Sequence, residues 1–230
     1  MFAAIRALSG QCFIALCLAL ALTGAAAPAE STSAREFSAD IASRDAAGTA
    51  IGAGARLYAA SGKVRIETPE LPAGFFLIDS QAGNSLFARP AQRIYMDSKQ
   101  STRLTQIFVP VDPKHPCPQW RAAAILAGVT DAGGNWRCER VHTAIVGGHH
   151  TIEYQVVSPL GQSSRRWVDS DLGFPVTLQA TDGTTVSLEN IRIETQPAAL
   201  FALPQGFQKL DPQALINKIK HSDVWVEPSK

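Results

Sequence analysis

Apolar and polar residues alternate along most of this chain with a period of two. In FSADIASR, Phe37, Ala39 and Ile41 share one face, and Ser38, Asp40 and Arg44 occupy the other. KVRIE sets Val64 and Ile66 against Lys63, Arg65 and Glu67, and TIEYQVV sets Ile152, Tyr154 and Val156 against Glu153 and Gln155. Such alternation marks strands with one buried and one wetter face, as in an antiparallel sheet. Turn formers punctuate the runs: Ser61-Gly62, Ala82-Gly83-Asn84, Gly147-Gly148, Gly161 and Asp182-Gly183. Asp182-Gly183 is the clearest hairpin signal, since both residues tolerate a positive φ. Strands read between these turns number about eleven, clustered in Phe37–Asp97 and Cys138–Thr195. In TVSLENIRIE the apolar phase shifts between Leu188 and Ile191, which predicts a bulge or a curling strand. The expected fold is mainly β (α+β): a curved antiparallel sheet of about eleven strands forming an incomplete barrel.

Two short helical patterns interrupt the alternation, and both are expected at the mouth or concave face of the sheet. Pro118 opens the first at its N1 position, QWRAAAILA continues it, and Gly128 stops it. Trp120, Ala124 and Ala127 form its stripe. Asp211-Pro212 opens the second, whose apolar stripe is Leu215, Ile216 and Ile219, with Lys218 and Lys220 suiting its C-terminal dipole. Between the two strand clusters, residues 98–138 read as an inserted segment rich in proline and glycine.

The N-terminus changes the picture of the compartment. Arg6 is the only charged side chain before Glu30, an apolar run is densest from Cys12 to Leu22, and small residues follow through Ala27-Pro28-Ala29. This is the layout of a signal peptide over 1–29, cleaved near Ala27–Ala29, which predicts a periplasmic or secreted protein. An uncleaved membrane anchor is the competing use of the same run; its dense part is short for a bilayer and no basic cluster follows. The body of the domain is then 30–210, with 211–230 a C-terminal helix and tail.

Cleavage removes Cys12 and Cys17 and leaves Cys117 and Cys138 of the four cysteines. Two thiols in an exported chain are best read as one disulfide, which would pin the insertion to the sheet as a lid or plug. The alternative is a metal cluster of both cysteines with His115 and His142, whose spacing fits no standard zinc pattern. Charge excludes one partner class: at a net charge of +1, with no basic stripe or RNA-binding motif, nothing points to nucleic acid.

In order along the chain stand FSADI, GKVRIE, FFLIDS, SLFARP and RIYMD, then RRWVDSDLGFPVTLQATDGTTVSLENIRI and PAALFALPQGFQKLD. This order resembles the LolA/LolB-like superfamily of periplasmic lipoprotein carriers and their relatives. The W-V-D strand, the G-x-P turn, the D-G hairpin and the L-F-x-L-P-x-G-F segment carry most of the likeness. The resemblance implies an eleven-stranded antiparallel incomplete barrel, mouth-closing helices and an apolar concavity that receives acyl chains or another hydrophobic ligand. The cysteine-bracketed insertion and the WVEP tail depart from the carrier pattern, so no particular lid or mouth residue is carried over.

Motifs for catalysis are few. GQSSR lacks the G-x-S-x-G spacing of a nucleophile elbow. His149 and His150, as strand neighbours, point to opposite faces and read as solvated residues at a hairpin edge. Asp40, Asp79, Asp97 and Asp169 end strands or face solvent, with no acid–base pairing evident. No phosphate loop, dinucleotide fingerprint or calcium loop is present, so no cofactor is expected and the chain reads as non-enzymatic. Candidate ligand contacts are Phe75, Phe76, Trp120, Leu126 and Trp136, with core packing the competing role. The expectation is a carrier or sensor of a lipid or other hydrophobic ligand held in the concavity. The alternative is a cell-envelope interaction module that has a filled core and engages a protein partner.

Overall fold

In the computed structural model, which describes residues 35–69, 73–98 and 104–211, the alternating runs become twelve strands of one sheet. These are β1 (Phe37–Arg44), β2 (Ala55–Ala60), β3 (Lys63–Thr68), β4 (Gly74–Asp79), β5 (Asn84–Arg89) and β6 (Ile94–Asp97). After the insertion follow β7 (Arg137–Val146), β8 (His149–Val157), β9 (Ser163–Asp169), β10 (Phe174–Ala180), β11 (Thr185–Ile193) and the two-residue β12 (Gln208–Lys209). Two short α-helices lie in the insertion, α1 (Leu104–Ile107) and α2 (Cys117–Leu126). The C-terminal helix expected from residue 211 falls outside the described residues, as does the signal peptide.

The spatial order is β12-β6-β5-β4-β3-β2-β1-β11-β10-β9-β8-β7. All neighbours are antiparallel except β12, which runs parallel to β6. The sheet is not closed, because among the described residues β7 and β12 each pair with one strand only. Two meanders, β1–β6 and β7–β11, are joined where β1 pairs with β11. This order explains the insertion. It connects β6 to β7, which lie toward opposite ends of the sheet, so it must cross a face to link them.

The insertion crosses the face that carries the alternating apolar residues. Ile107, Phe108, Val109, Val111, Trp120 and Ala123 pack into one core with Phe37, Leu57, Ile66, Phe76, Tyr154 and Phe174 from the strands. Phe37 meets Phe174 edge-on at 5.1 Å, and Trp120 meets Tyr154 edge-on at 6.0 Å. The Tyr154 hydroxyl donates to Pro113 O at 2.7 Å, and Val111 N–H donates to Gly173 O at 2.8 Å. These bonds fix the insertion to β8 and to the β9–β10 turn. A second, smaller core of Phe75, Leu77 and Ala88 lies on the opposite face, joined by Leu203 and Phe207 of the C-terminal segment.

Local details follow the residue types. α2 begins at Cys117, with Pro116 as its N-cap, so Pro118 stands one place later than the N1 position read from the sequence. Its end is a Schellman motif: Val129 N–H donates to Ala124 O, Gly128 N–H donates to Ile125 O, and Gly128 takes φ +68°. The stripe Trp120, Ala124 and Ala127 is buried as expected. The β10–β11 hairpin turns at Asp182-Gly183, with only Gly183 at positive φ (+83°) while the Asp182 carboxylate accepts from Thr184 N–H. The expected bulge in β11 sits at Asn190 (φ +52°), where the β1 register shifts between Ser38 and Asp40.

Cys117 and Cys138 form a disulfide, with Cα atoms 5.8 Å apart. It ties the first turn of α2 to the edge strand β7 and brackets α2 and the 127–136 loop, leaving α1 outside. With the thiols joined, the alternative metal cluster loses its sulfur ligands. His115 lies instead against Asp112, and His142 against Glu153. Among the described residues no group of three or more His, Cys, Asp or Glu is placed to hold a metal ion. Nor is any described helix long and apolar enough to cross a membrane.

Candidate functional site

The insertion fills most of the inner face but stops short at one end. There a cleft of about 410 Å³ remains between it and β8–β10. Its floor comes from the strands, with Val156, Arg166 and Leu178; its roof comes from Ile107 of α1 and from Val129 and Trp136 of the loop after α2. The β8–β9 turn (Ser158–Gln162) and the β10–β11 turn (Thr181, Asp182) frame the mouth. Leu160, in the first of these turns, is an exposed large apolar residue. The roof is held by short bonds. Arg121 donates from Nη2 to Gly133 O at 2.5 Å, and Trp136 donates from Nε1 to Ala132 O at 2.9 Å. With its N–H engaged, Trp136 presents only ring surface to the cleft.

Arg166 is the unusual member of this lining. It pairs across the strands with Tyr154 on one side and Leu178 on the other, so it projects from the apolar face. It is only 8% exposed, and its Nε and Nη1 atoms have no hydrogen-bond partner among the described residues. Its guanidinium lies 4.6 Å from the centroid of the Trp120 ring, and the buried Trp120 Nε1 has no acceptor among them either. Burial pulls the guanidinium down to about 10, which leaves it a cation at neutral pH. Cation–π attraction to an indole is a partial substitute for a counterion.

The residues singled out in the sequence are dispersed by the fold. Trp136 lines the cleft, and Trp120 lies beneath Arg166 in the main core. Leu126 is half-buried near the end of α2. Phe76 packs on Phe87 at 4.7 Å in the main core, while Phe75, its strand neighbour, faces the opposite side under the Arg65 guanidinium at 3.6 Å. Arg166 was not among those candidates. The signal was in SRRWVD: Arg166 has the same parity as the buried Val168, but the adjacent Trp167 and Val168 leave the buried parity ambiguous.

The acidic residues and histidines do other work. Asp79 and Asp169 each accept two backbone N–H bonds in the turn that follows them. Asp40 pairs with Arg56 at 2.6 Å, and Asp97 with Lys209 at 3.5 Å. His149 is not simply solvated: its Nδ1 lies 2.6 Å from Asp169 Oδ2, while His150 is exposed. On the outer face Glu153 is buried, with His142 Nε2 at 3.3 Å and Arg165 Nε at 3.6 Å.

No protein-family model matches the sequence, and no curated protein matches it. Several solved structures are similar to it. A structure of PNGF-II is 9% identical over 82% of this chain, with a TM-score of 0.51, and this chain spans only 34% of that one. An uncharacterized conserved protein from Thermus thermophilus is 12% identical over 78% of this chain and 91% of its own, with a TM-score of 0.46. The LolA superfamily protein NE2245 from Nitrosomonas europaea is 10% identical over 74% of this chain and 90% of its own, with a TM-score of 0.35. A protein of the LolA superfamily is thus among the similar structures. At these identities the likeness is one of fold alone.

Proposed function

We propose that this chain is an exported, non-enzymatic protein that holds a hydrophobic ligand in the cleft between the insertion and β8–β10, as carrier or sensor. The observation that carries this reading is the gap itself. Around Phe108, Trp120 and Ala123 the insertion packs side chain against side chain; here Ile107, Val129 and Trp136 above and Val156 and Leu178 below face an open volume. That volume lies within the range of about 300–1,000 Å³ typical of ligand pockets. The disulfide and the N-terminal apolar run support an oxidising compartment such as the periplasm. Trp136 and Leu178 are the proposed ligand contacts.

Native mass spectrometry of protein taken from its own envelope fraction tests this. A ligand should appear as added mass and disappear on delipidation, and a fluorescent acyl probe should then enter the delipidated protein. Protein that carries no added mass and takes up no probe would end the reading.

One feature favours the alternative of an envelope interaction module. Most of the inner face is filled, and the edge strand β7 exposes Val141 and Ile145. Yet β7 also carries Arg137, Glu139, Arg140 and His142 and a register shift between Arg140 and Thr143. Charges and bulges are devices that discourage strand addition at an edge.

A further inference from the structure

The cleft of the proposed function has a polar feature that a purely hydrophobic ligand does not explain. Strand position 166 places a guanidinium on the apolar face between Tyr154 and Leu178. Among the described residues nothing within hydrogen-bond distance accepts from Nε or Nη1, although the side chain is more than nine-tenths buried. The acidic residue that lines the cleft, Asp182, belongs to the turn at its mouth, where its carboxylate accepts from Thr184 N–H. A buried cation without a carboxylate partner is disfavoured, because its lost hydration is not replaced. An apolar side chain at 166 would complete the core at lower cost. The arginine therefore suits a state in which something else supplies the negative charge. Guanidinium N–H groups match carboxylate and phosphate oxygens, and such charge-assisted bonds strengthen where water is excluded.

Resting on the cleft as the ligand site, we propose that its ligand is an anionic single-chain amphiphile, with a carboxylate or phosphate head on Arg166 and the chain against Ile107, Trp136, Val156 and Leu178. One chain rather than two follows from the size of the cleft, toward the lower end of the pocket range. Because the Trp136 N–H is already bonded to Ala132 O, the roof offers the chain an apolar surface. The head finds its donors on the floor.

The test is calorimetric titration of the delipidated protein with decanoate, decyl phosphate and decan-1-ol, which share a chain and differ in the head. The anions should bind at least about ten-fold more tightly than the alcohol, a gap of about 1.4 kcal/mol. Whichever anion binds more tightly names the head group. Arg166→Met should erase that preference, so that the anions bind no more tightly than the alcohol, while Arg166→Lys should retain part of it. Leu178→Glu offers a route independent of removing the arginine. It places a carboxylate on the residue directly opposite Arg166, and should abolish anion binding by supplying an internal counterion. Equal affinity for all three ligands, or an anion preference that survives both Arg166→Met and Leu178→Glu, would overturn the anion assignment and leave the cleft as a hydrophobic site. Binding of none of the three would remove the cleft reading itself.

Discussion

Arg166 sets the balance between stability and binding at the level of a single residue. Replacing a buried charge that has no carboxylate partner among the described residues by an apolar side chain of similar length removes a desolvation cost. It also removes the stack on Trp120, itself worth about 0.5–2 kcal/mol. Arg166→Met should therefore leave the thermal midpoint unchanged or raise it by a few degrees, at about 2–4 °C per kcal/mol for a domain of this size. A fall of several degrees in a thermal melt would show that the arginine supports the fold instead. Asp40 gives a second prediction at this scale. Hydrogen bonds from Asn190 and Arg56 hold its carboxyl below the usual range. Its folded value lies below its unfolded one, so its contribution is complete above about pH 4 and is lost as the pH falls through the folded value. Urea midpoints of wild type and Asp40→Asn should differ at neutral pH and draw together as the pH falls below about 4; a gap that stays constant across that range would refute the linkage. These two residues also mark what was legible. Asp40 stood on the polar parity of an unambiguous strand. Arg166 stood on the apolar parity of SRRWVD, where two arginines and two adjacent apolar residues fit either face.

At the scale of the element, the disulfide and α2 act together. The bond closes a loop with a separation of 21 residues, worth about 3 kcal/mol through restriction of the unfolded chain. Its two ends are the first turn of α2 and an edge strand, so its loss should be felt first in the roof of the cleft. Limited proteolysis with and without reductant should show new cleavage between Asp112 and Trp136 only in the reduced protein. Equal cleavage in both states would disconnect the bond from the roof. Most elements were readable because local chemistry decides them: Gly128 ends α2, Gly183 turns β10 into β11, and Asn190 absorbs the bulge. α1 was not readable. Its four residues are too few to show a helical period, and Thr105 and Ile107 are buried, Ile107 in the main core with the strands. The same holds for Pro118, whose helix starts earlier than its own preference suggests.

At the scale of the whole molecule, the strand count and the two clusters were legible because turns and alternation are local properties. The strand order was not, since it depends on pairings between residues far apart in sequence. Phe37 lies opposite Ile193, and that contact is what seats one meander beside the other. The separation of Phe75 from Phe76 has the same origin: two apolar neighbours on one strand require two cores, and the second is completed by Leu203 and Phe207, which return to pack against it beside Leu86 and Tyr95.

The placement of β6 and β7 toward opposite ends of the sheet has a consequence for how the chain can be divided. A break after Ser98 would leave β1–β6 in one piece and β7–β12 in the other, with Cys117 and Cys138 both in the second. Each piece keeps its own hairpins and loses only the connection between them. The two should meet again through the seam of β1 with β11, the parallel pairing of β12 with β6, and the underside of the insertion. Co-expressed halves should then assemble as a complementing pair, with the untagged half co-purifying on a tag carried by the other. Halves that never associate would show that the covalent crossing, rather than the seam, is what brings the sheet together.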